Sequence, residues 1–179
     1  MPVIGRTPYR NLILTGTIGV GKTGAGRRIA AKLEGATFID MEIEIQNREG
    51  YTPEQIRATF GLSRLRHIES ELVQEISLRR STVIAVSGLT LLDPSNLERL
   101  QETGPILCLT TALGEILRRV HVTQGGRFHD PEIRAAIIGR LKREGEVRLL
   151  NLPTLDTSRL TIEEVAERAT TFWLAQSDL

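Results

Sequence analysis

The sequence predicts an α/β fold, a five-stranded parallel sheet with helices on both faces. Short apolar runs rich in β-branched residues alternate with longer helical patterns, the order a doubly covered parallel sheet requires. The first of these runs leads straight into a glycine-rich loop and then a helix. The composition is that of an ordinary globular protein: 179 residues, 40% hydrophobic and 25% charged, which fits one domain over residues 1–179 with a full core.

Asn11 to Thr15 (NLILT) reads as the first strand, and Lys22 to Glu34 as the first helix. Ala36 to Asp40 (ATFID) is the second strand, followed by helical patterns in two or three pieces from Met41 to Arg80. Thr82 to Val86 (TVIAV) is the third strand and Pro105 to Thr110 (PILCLT) the fourth. Between them, Asp93-Pro94 sets a capping carboxylate before a proline at the first helical position, so Asp93 is an N-cap for a helix to Thr103 rather than a catalytic acid. A helix near Ala112 to Val120 and a glycine-containing stretch from Thr123 to Asp130 come next. Asp130-Pro131 repeats the capping device and opens a helix to about Leu150. Leu152 to Asp156 is a short extended piece, and a last helix starts at Thr161. In it Ile162, Val165, Ala166, Ala169 and Trp173 recur at spacings of three and four, the mark of core packing. There is no internal repeat, low-complexity tract or linker.

Several function classes are excluded. The longest apolar run, Val83 to Leu92, is interrupted by Ser87, Gly88 and Thr90 and is too short for a membrane span, so no membrane partner is expected. Met1 to Arg10 lacks the apolar core of a secretory signal, and a cytoplasmic protein is the expectation. One Cys and three His cannot form an intrachain disulfide or a Cys/His zinc site. A net charge of +1 gives no reason to expect nucleic acid as a partner. Charge is nonetheless uneven: Arg118 to Arg148 holds eight bases against four acids, a net of +4, which leaves about −3 elsewhere. That segment is either a solvated helix face or a surface turned to an anion.

Gly16-Thr17-Ile18-Gly19-Val20-Gly21-Lys22-Thr23 matches G-x-x-x-x-G-K-[ST] and sits between a strand and a helix, where a P-loop must lie. Glycines let successive backbone N–H groups turn inward on phosphate oxygens, and the start of the helix adds positive dipole. Lys22 reaches the β- and γ-phosphates of a nucleotide, and the Thr23 hydroxyl can ligate Mg2+. The metal also wants a carboxylate at the carboxyl end of a neighbouring strand. Only ATFID offers one, Asp40, with Glu42 two residues on. These two are the site carboxylates by elimination, or an N-cap pair for the helix starting near Met41; the roles are compatible. No rival chemistry competes: His67, His121 and His129 are scattered, and Cys108 reads as a small buried hydrophobe.

From about Asn11 to Thr157 the chain resembles the shikimate kinase family, small P-loop kinases that move the γ-phosphoryl group of ATP to a hydroxyl of a carboxylated ring. The likeness is carried by GTIGVGKTGAGRRIA with its Gly26-Arg27 pair, FIDMEIEIQNREG, GLSRLRHIE, VIAVSGL, GGRF, and KREGEV, whose Arg143 stands thirteen residues before Asp156-Thr157. The resemblance implies that Asp40 supports Mg2+ and that Glu42 faces the acceptor hydroxyl. It implies that Arg66 and Arg143 grip the acceptor carboxylate, a task that suits a guanidinium fork. By the same resemblance Gly88 belongs to a glycine turn that approaches the acceptor ring. Arg127 comes from a mobile lid, about residues 121–131, and neutralises the transferring phosphoryl group, while Arg119 lies against the adenine. Lys22, Glu42 and Arg127 are thus the catalytic set.

Departures from the family pattern cluster on the acceptor side. Glu42 replaces a second Asp and moves the carboxylate outward by ~1.5 Å, and misplacements of about 1 Å can cost roughly 10²-fold in rate. Ser87-Gly88-Leu89 keeps one glycine of three, Leu62 stands for a Glu, and Phe128-His129 for Pro-Leu. The expected function is therefore an ATP- and Mg2+-dependent kinase, a monomer, acting on a small carboxylated alcohol, with shikimate and aromatic amino acid biosynthesis foremost. A related kinase with another acceptor, or a nucleotide-binding protein without efficient transfer, are the alternatives.

Overall fold

A computed structural model of the chain describes residues 6–177, so the first part of the Met1 to Arg10 stretch lies outside the described residues. Strands β1 (Leu12–Thr15), β2 (Thr37–Asp40), β3 (Thr82–Ala85), β4 (Ile106–Thr110) and β5 (Thr154–Asp156) form one sheet in the order β2-β3-β1-β4-β5. All its pairings are parallel, with Ile13 beside Ile84 on one flank and Ile106 on the other. The five expected strands are all present, each trimmed by no more than two residues.

β1 is central and wholly buried, and its alternate side chains feed two cores. Leu12 and Leu14 pack with Leu107 and Leu109 against α1 (Lys22–Lys32) and α9 (Ile162–Ser177), where Ala25, Ile29, Val165, Ala166 and Trp173 are buried. The predicted apolar stripe of α9 is thus a core face. Ile13, with Ile84, Ile106 and Cys108, meets the opposite layer. That layer is built from α2 (Met41–Glu49), α3 (Pro53–Phe60), α4 (Leu62–Ile76), the single turn α5 (Gly88–Leu91) and α6 (Pro94–Thr103). Cys108 is buried and free, as its setting mid-strand implied.

The Met41 to Arg80 pattern resolves into three helices, broken at Gly50 and Gly61. Asp93 and Asp130 accept from Ser95 and Glu132 N–H at 2.9 Å each, the capping roles assigned to them. α7 (Leu113–Gln124) and α8 (Pro131–Glu144) are joined by a 3₁₀ turn at Gly125–His129, and a small separate cluster of Ile116, Val120, Ile137 and Leu141 holds them together.

Two local features depart from expectation. The helix from Pro131 ends at Glu144, and residues Gly145–Leu150 tighten into a 3₁₀ turn that stops at left-handed Asn151. The break brings the Glu144 carbonyl and Val147 against Gly88, where a Cβ would fall 2.8 and 3.0 Å from them. α5 was not foreseen; the Ser87 hydroxyl, accepting from Leu89 N–H at 3.2 Å, starts that turn. No helix among the described residues is long and apolar enough to cross a membrane.

Candidate active site

The phosphate loop begins where β1 leaves the sheet. Gly16 has φ +133°, and a Cβ there would lie 2.3 Å from the Leu109 carbonyl oxygen, so only glycine lets β1 turn this close to β4. Gly21, at φ +100°, starts α1, whose first turn has neither a side-chain cap nor an acidic residue. Its free N–H groups therefore face the loop, the arrangement that receives phosphate. Val20 is core rather than surface, and its carbonyl accepts from the buried Thr157 hydroxyl at 3.1 Å. Lys22 Nζ donates to the Gly16 and Thr17 carbonyls at 2.9 and 2.8 Å, across the mouth of the loop. Burial pushes its pKa down, and the nearby Glu144 and Glu42 carboxylates oppose that shift.

Asp40 caps α2 and also reaches the first turn of α1. Its Oδ1 accepts from Glu42 and Ile43 N–H at 3.0 and 3.3 Å, capping α2, while Oδ2 accepts from the Thr23 hydroxyl at 2.5 Å. The last residue of β2 and the first turn of α1 are thereby joined beside the loop. Ile18, Gly19, Gly21, Lys22, Thr23 and Arg119 border a cleft of about 370 Å³ at this point. Arg119 is a brace as well as a wall: it donates to the Gly19 carbonyl at 3.2 Å and the Thr157 carbonyl at 3.1 Å.

A second cavity, about 380 Å³, opens beyond Glu42. Arg66 and Arg143 line it, as do the departing residues Leu62, Ser87 and Leu89. Arg143 stands 3.5 Å from Glu54, and its buried Nε has no hydrogen-bond partner. An orphan N–H of this kind is costly. Gly88 does not line the cavity; its missing side chain serves packing against Glu144 and Val147 instead. Arg127 lies exposed on the 3₁₀ turn between α7 and α8 and borders neither cavity.

Sequence reasoning missed the charges beneath the cavity. Arg140 donates to both Glu42 and Glu144, and Glu144 is 0% exposed. Burial works against the Arg140 charge, but the two carboxylates outweigh it and hold the guanidinium protonated. A signal existed: Ile137, Leu141 and Glu144 share one helix face, so Glu144 sits where an apolar residue belongs.

Glu69, also missed, is 8% exposed on the cavity wall and accepts from the Thr90 hydroxyl at 3.0 Å. Burial pushes its carboxyl up to about 7, with the Thr90 bond and Arg66 offsetting this only in part. Between its ordinary 4.5 and about 7 the folded chain holds a proton that the unfolded chain releases, so this group makes stability fall as pH rises through that window. Glu69→Gln removes the effect. Its stability relative to wild type is expected to grow from pH 4.5 to 7 and level off at on the order of 3 kcal/mol. Denaturant unfolding at pH 5 and pH 8 checks this; the same difference at both pH values would show that Glu69 is not raised.

The family model for shikimate kinase matches residues 18–173. A shikimate kinase of Thermodesulfovibrio yellowstonii is 33% identical over 169 residues, covering 89% of this chain and 92% of that protein. One from Caldanaerobacter subterraneus subsp. tengcongensis is 34% identical over 161 residues, covering 88% and 92%. Among solved structures, shikimate kinase from Acinetobacter baumannii in complex with shikimate superposes with TM-score 0.78 over 97% of this chain and 98% of that one, at 24% identity, a likeness of fold. With a phosphate loop and a strand-end carboxylate beside an arginine-lined cavity at the carboxyl ends of the strands, and with relatives matched along nearly their whole length, the chain belongs to the shikimate kinase family.

Proposed function

We propose that this protein transfers the γ-phosphoryl group of ATP to a hydroxyl of shikimate, held in the cavity beyond Glu42. The observation that carries the acceptor's chemistry is the buried, unpartnered Arg143 Nε in a cavity that Arg66 also lines. A carboxylate supplies the oxygens such a pair of guanidinium groups lacks.

The acceptor hydroxyl oxygen attacks the γ-phosphorus, the bond to the β–γ bridging oxygen breaks, and ADP leaves. Glu42 orients the hydroxyl and takes its proton. The loop N–H groups and Lys22 stabilise the charge on the phosphate oxygens, and Arg127 adds to this when the lid, about residues 121–131, closes. Arg119 flanks the nucleotide. Thr23 Oγ1 and Asp40 Oδ2 are hard oxygen donors of the kind Mg2+ takes. Among the described residues no group of three or more His, Cys, Asp and Glu could hold a metal, and Thr23 and Asp40 would be the residues that hold Mg2+. Bound there, Mg2+ would neutralise charge on the phosphate groups. The protein works as a cytoplasmic monomer in this reading.

Coupled ADP release with MgATP, with and without millimolar shikimate, tests the proposal. Saturable, shikimate-dependent turnover is expected. Arg66→Ala is expected to raise the acceptor KM by roughly 10- to 100-fold with the KM for ATP unchanged. ADP release that ignores shikimate but responds to another small alcohol would reassign the acceptor, with Leu62 and Leu89 on the cavity wall as the physical cause.

A further inference from the structure

Arg140 is a largely buried cation that the mechanism above leaves without a task. It lies one turn before Arg143 on α8, and its side chain is 15% exposed. Nη2 donates to Glu42 Oε1 and Nε to Glu144 Oε1. The other Glu144 oxygen accepts from the Ser87 hydroxyl at 3.2 Å. A continuous polar chain therefore runs from the end of β3, through the C-terminal turn of α8, to the first turn of α2. Glu42, Ser87 and Arg140 are the three residues that border both the phosphate-loop cleft and the acceptor cavity. The chain thus lies at the junction that a transferring phosphoryl group must cross.

We propose that Arg140 is a positioning residue that aims the Glu42 carboxylate at the acceptor hydroxyl. This rests on the reading of Glu42 as the group that meets that hydroxyl. A free glutamate has several rotatable bonds and spreads over many rotamers. Arg140 removes that freedom because its planar fork spends one nitrogen on each carboxylate. The fork is itself fixed: Glu144 is fully buried and tied to Ser87, so it cannot follow a moving arginine. The extra methylene of Glu42 then has a purpose. An aspartate at position 42 would stop about one C–C bond, ~1.5 Å, short of the guanidinium.

Steady-state kinetics of Arg140→Met, Arg140→Lys, Glu42→Gln and the Glu42→Gln/Arg140→Met pair test this with purified full-length protein and ATP plus shikimate. Arg140→Met is expected to lower kcat roughly 10- to 100-fold, with both KM values within about threefold of wild type. Arg140→Lys keeps one charged donor near Glu42 and is expected to recover part of that loss. In the Glu42→Gln background Arg140→Met is expected to do nothing further to kcat, because the group it aims is already gone. If stranding Glu144 leaves Arg140→Met too unstable to purify, Arg140→Met/Glu144→Gln removes the buried charge and carries the same expectation. A normal kcat in the Arg140 variants, with Glu42→Gln inactive, would overturn the positioning role alone, as would independent, multiplicative losses in the pair. A normal kcat in Glu42→Gln would overturn the role of Glu42 in transfer and this proposal with it.

Discussion

Lys22→Ala is expected to lower phosphoryl transfer by roughly 10³-fold or more while changing stability by no more than about 2 kcal/mol. The two effects separate because of where the ammonium sits. It spans the loop mouth between the Gly16 and Thr17 carbonyls, and burial already works against its charge. Removing it relieves a desolvation cost and frees two carbonyls at the edge of an open cleft, where water can reach them. The transferring phosphoryl group, by contrast, loses the cation that lies within the loop itself, and Arg119 and Arg140 on the border of the cleft are held by partners of their own. Coupled ADP release and denaturant unfolding on the same preparation check both halves. Turnover within tenfold of wild type would remove the phosphate loop from the mechanism.

Gly16→Ala should act in the opposite proportion, on the fold first and on nucleotide binding through it. The new Cβ would meet the Leu109 carbonyl oxygen at 2.3 Å from a backbone at φ +133°. A backbone atom in the middle of the sheet cannot swing aside as a side chain can. Strain and overpacking together should cost about 2–6 kcal/mol, seen as a lower denaturation midpoint, and surviving folded protein should bind ATP weakly because the loop has shifted. An unchanged midpoint would mean that β1 and β4 have slack at this point.

Strand positions, the phosphate loop and the caps that precede a proline were legible in the sequence because each is a local device. NLILT followed by glycines needs no partner to be recognised, and Asp93-Pro94 and Asp130-Pro131 carry their own geometry. The capping role of Asp40 was legible too, since it follows from its place at the end of β2. What stayed hidden depends on distant segments meeting. Arg140 looked like one base in a mixed run, and only the approach of α8 to α2 turns it toward Glu42. Gly88 was assigned by resemblance to the acceptor, yet its neighbour is the carbonyl of Glu144, visible only once the helix from Pro131 breaks at Gly145. Glu69 sits in an amphipathic helix whose inward face could be read, but the reason a carboxylate is tolerated there is Thr90, on another element.

The placement of β1 has a consequence for how the molecule comes into being. Residues 12–15 are flanked by 82–85 and 106–110, and the loop that follows is pinned at Val20 by Thr157. During synthesis from the N-terminus the loop emerges early, yet its contacts with Leu109, Arg119 and Thr157 belong to chain not yet made. Such widely separated pairings are closed late because their loop entropy must be met first. The capacity to hold a nucleotide therefore arises at the end of folding rather than at its start, and a chain that stops before residue 157 carries the full phosphate-loop sequence without its last tether.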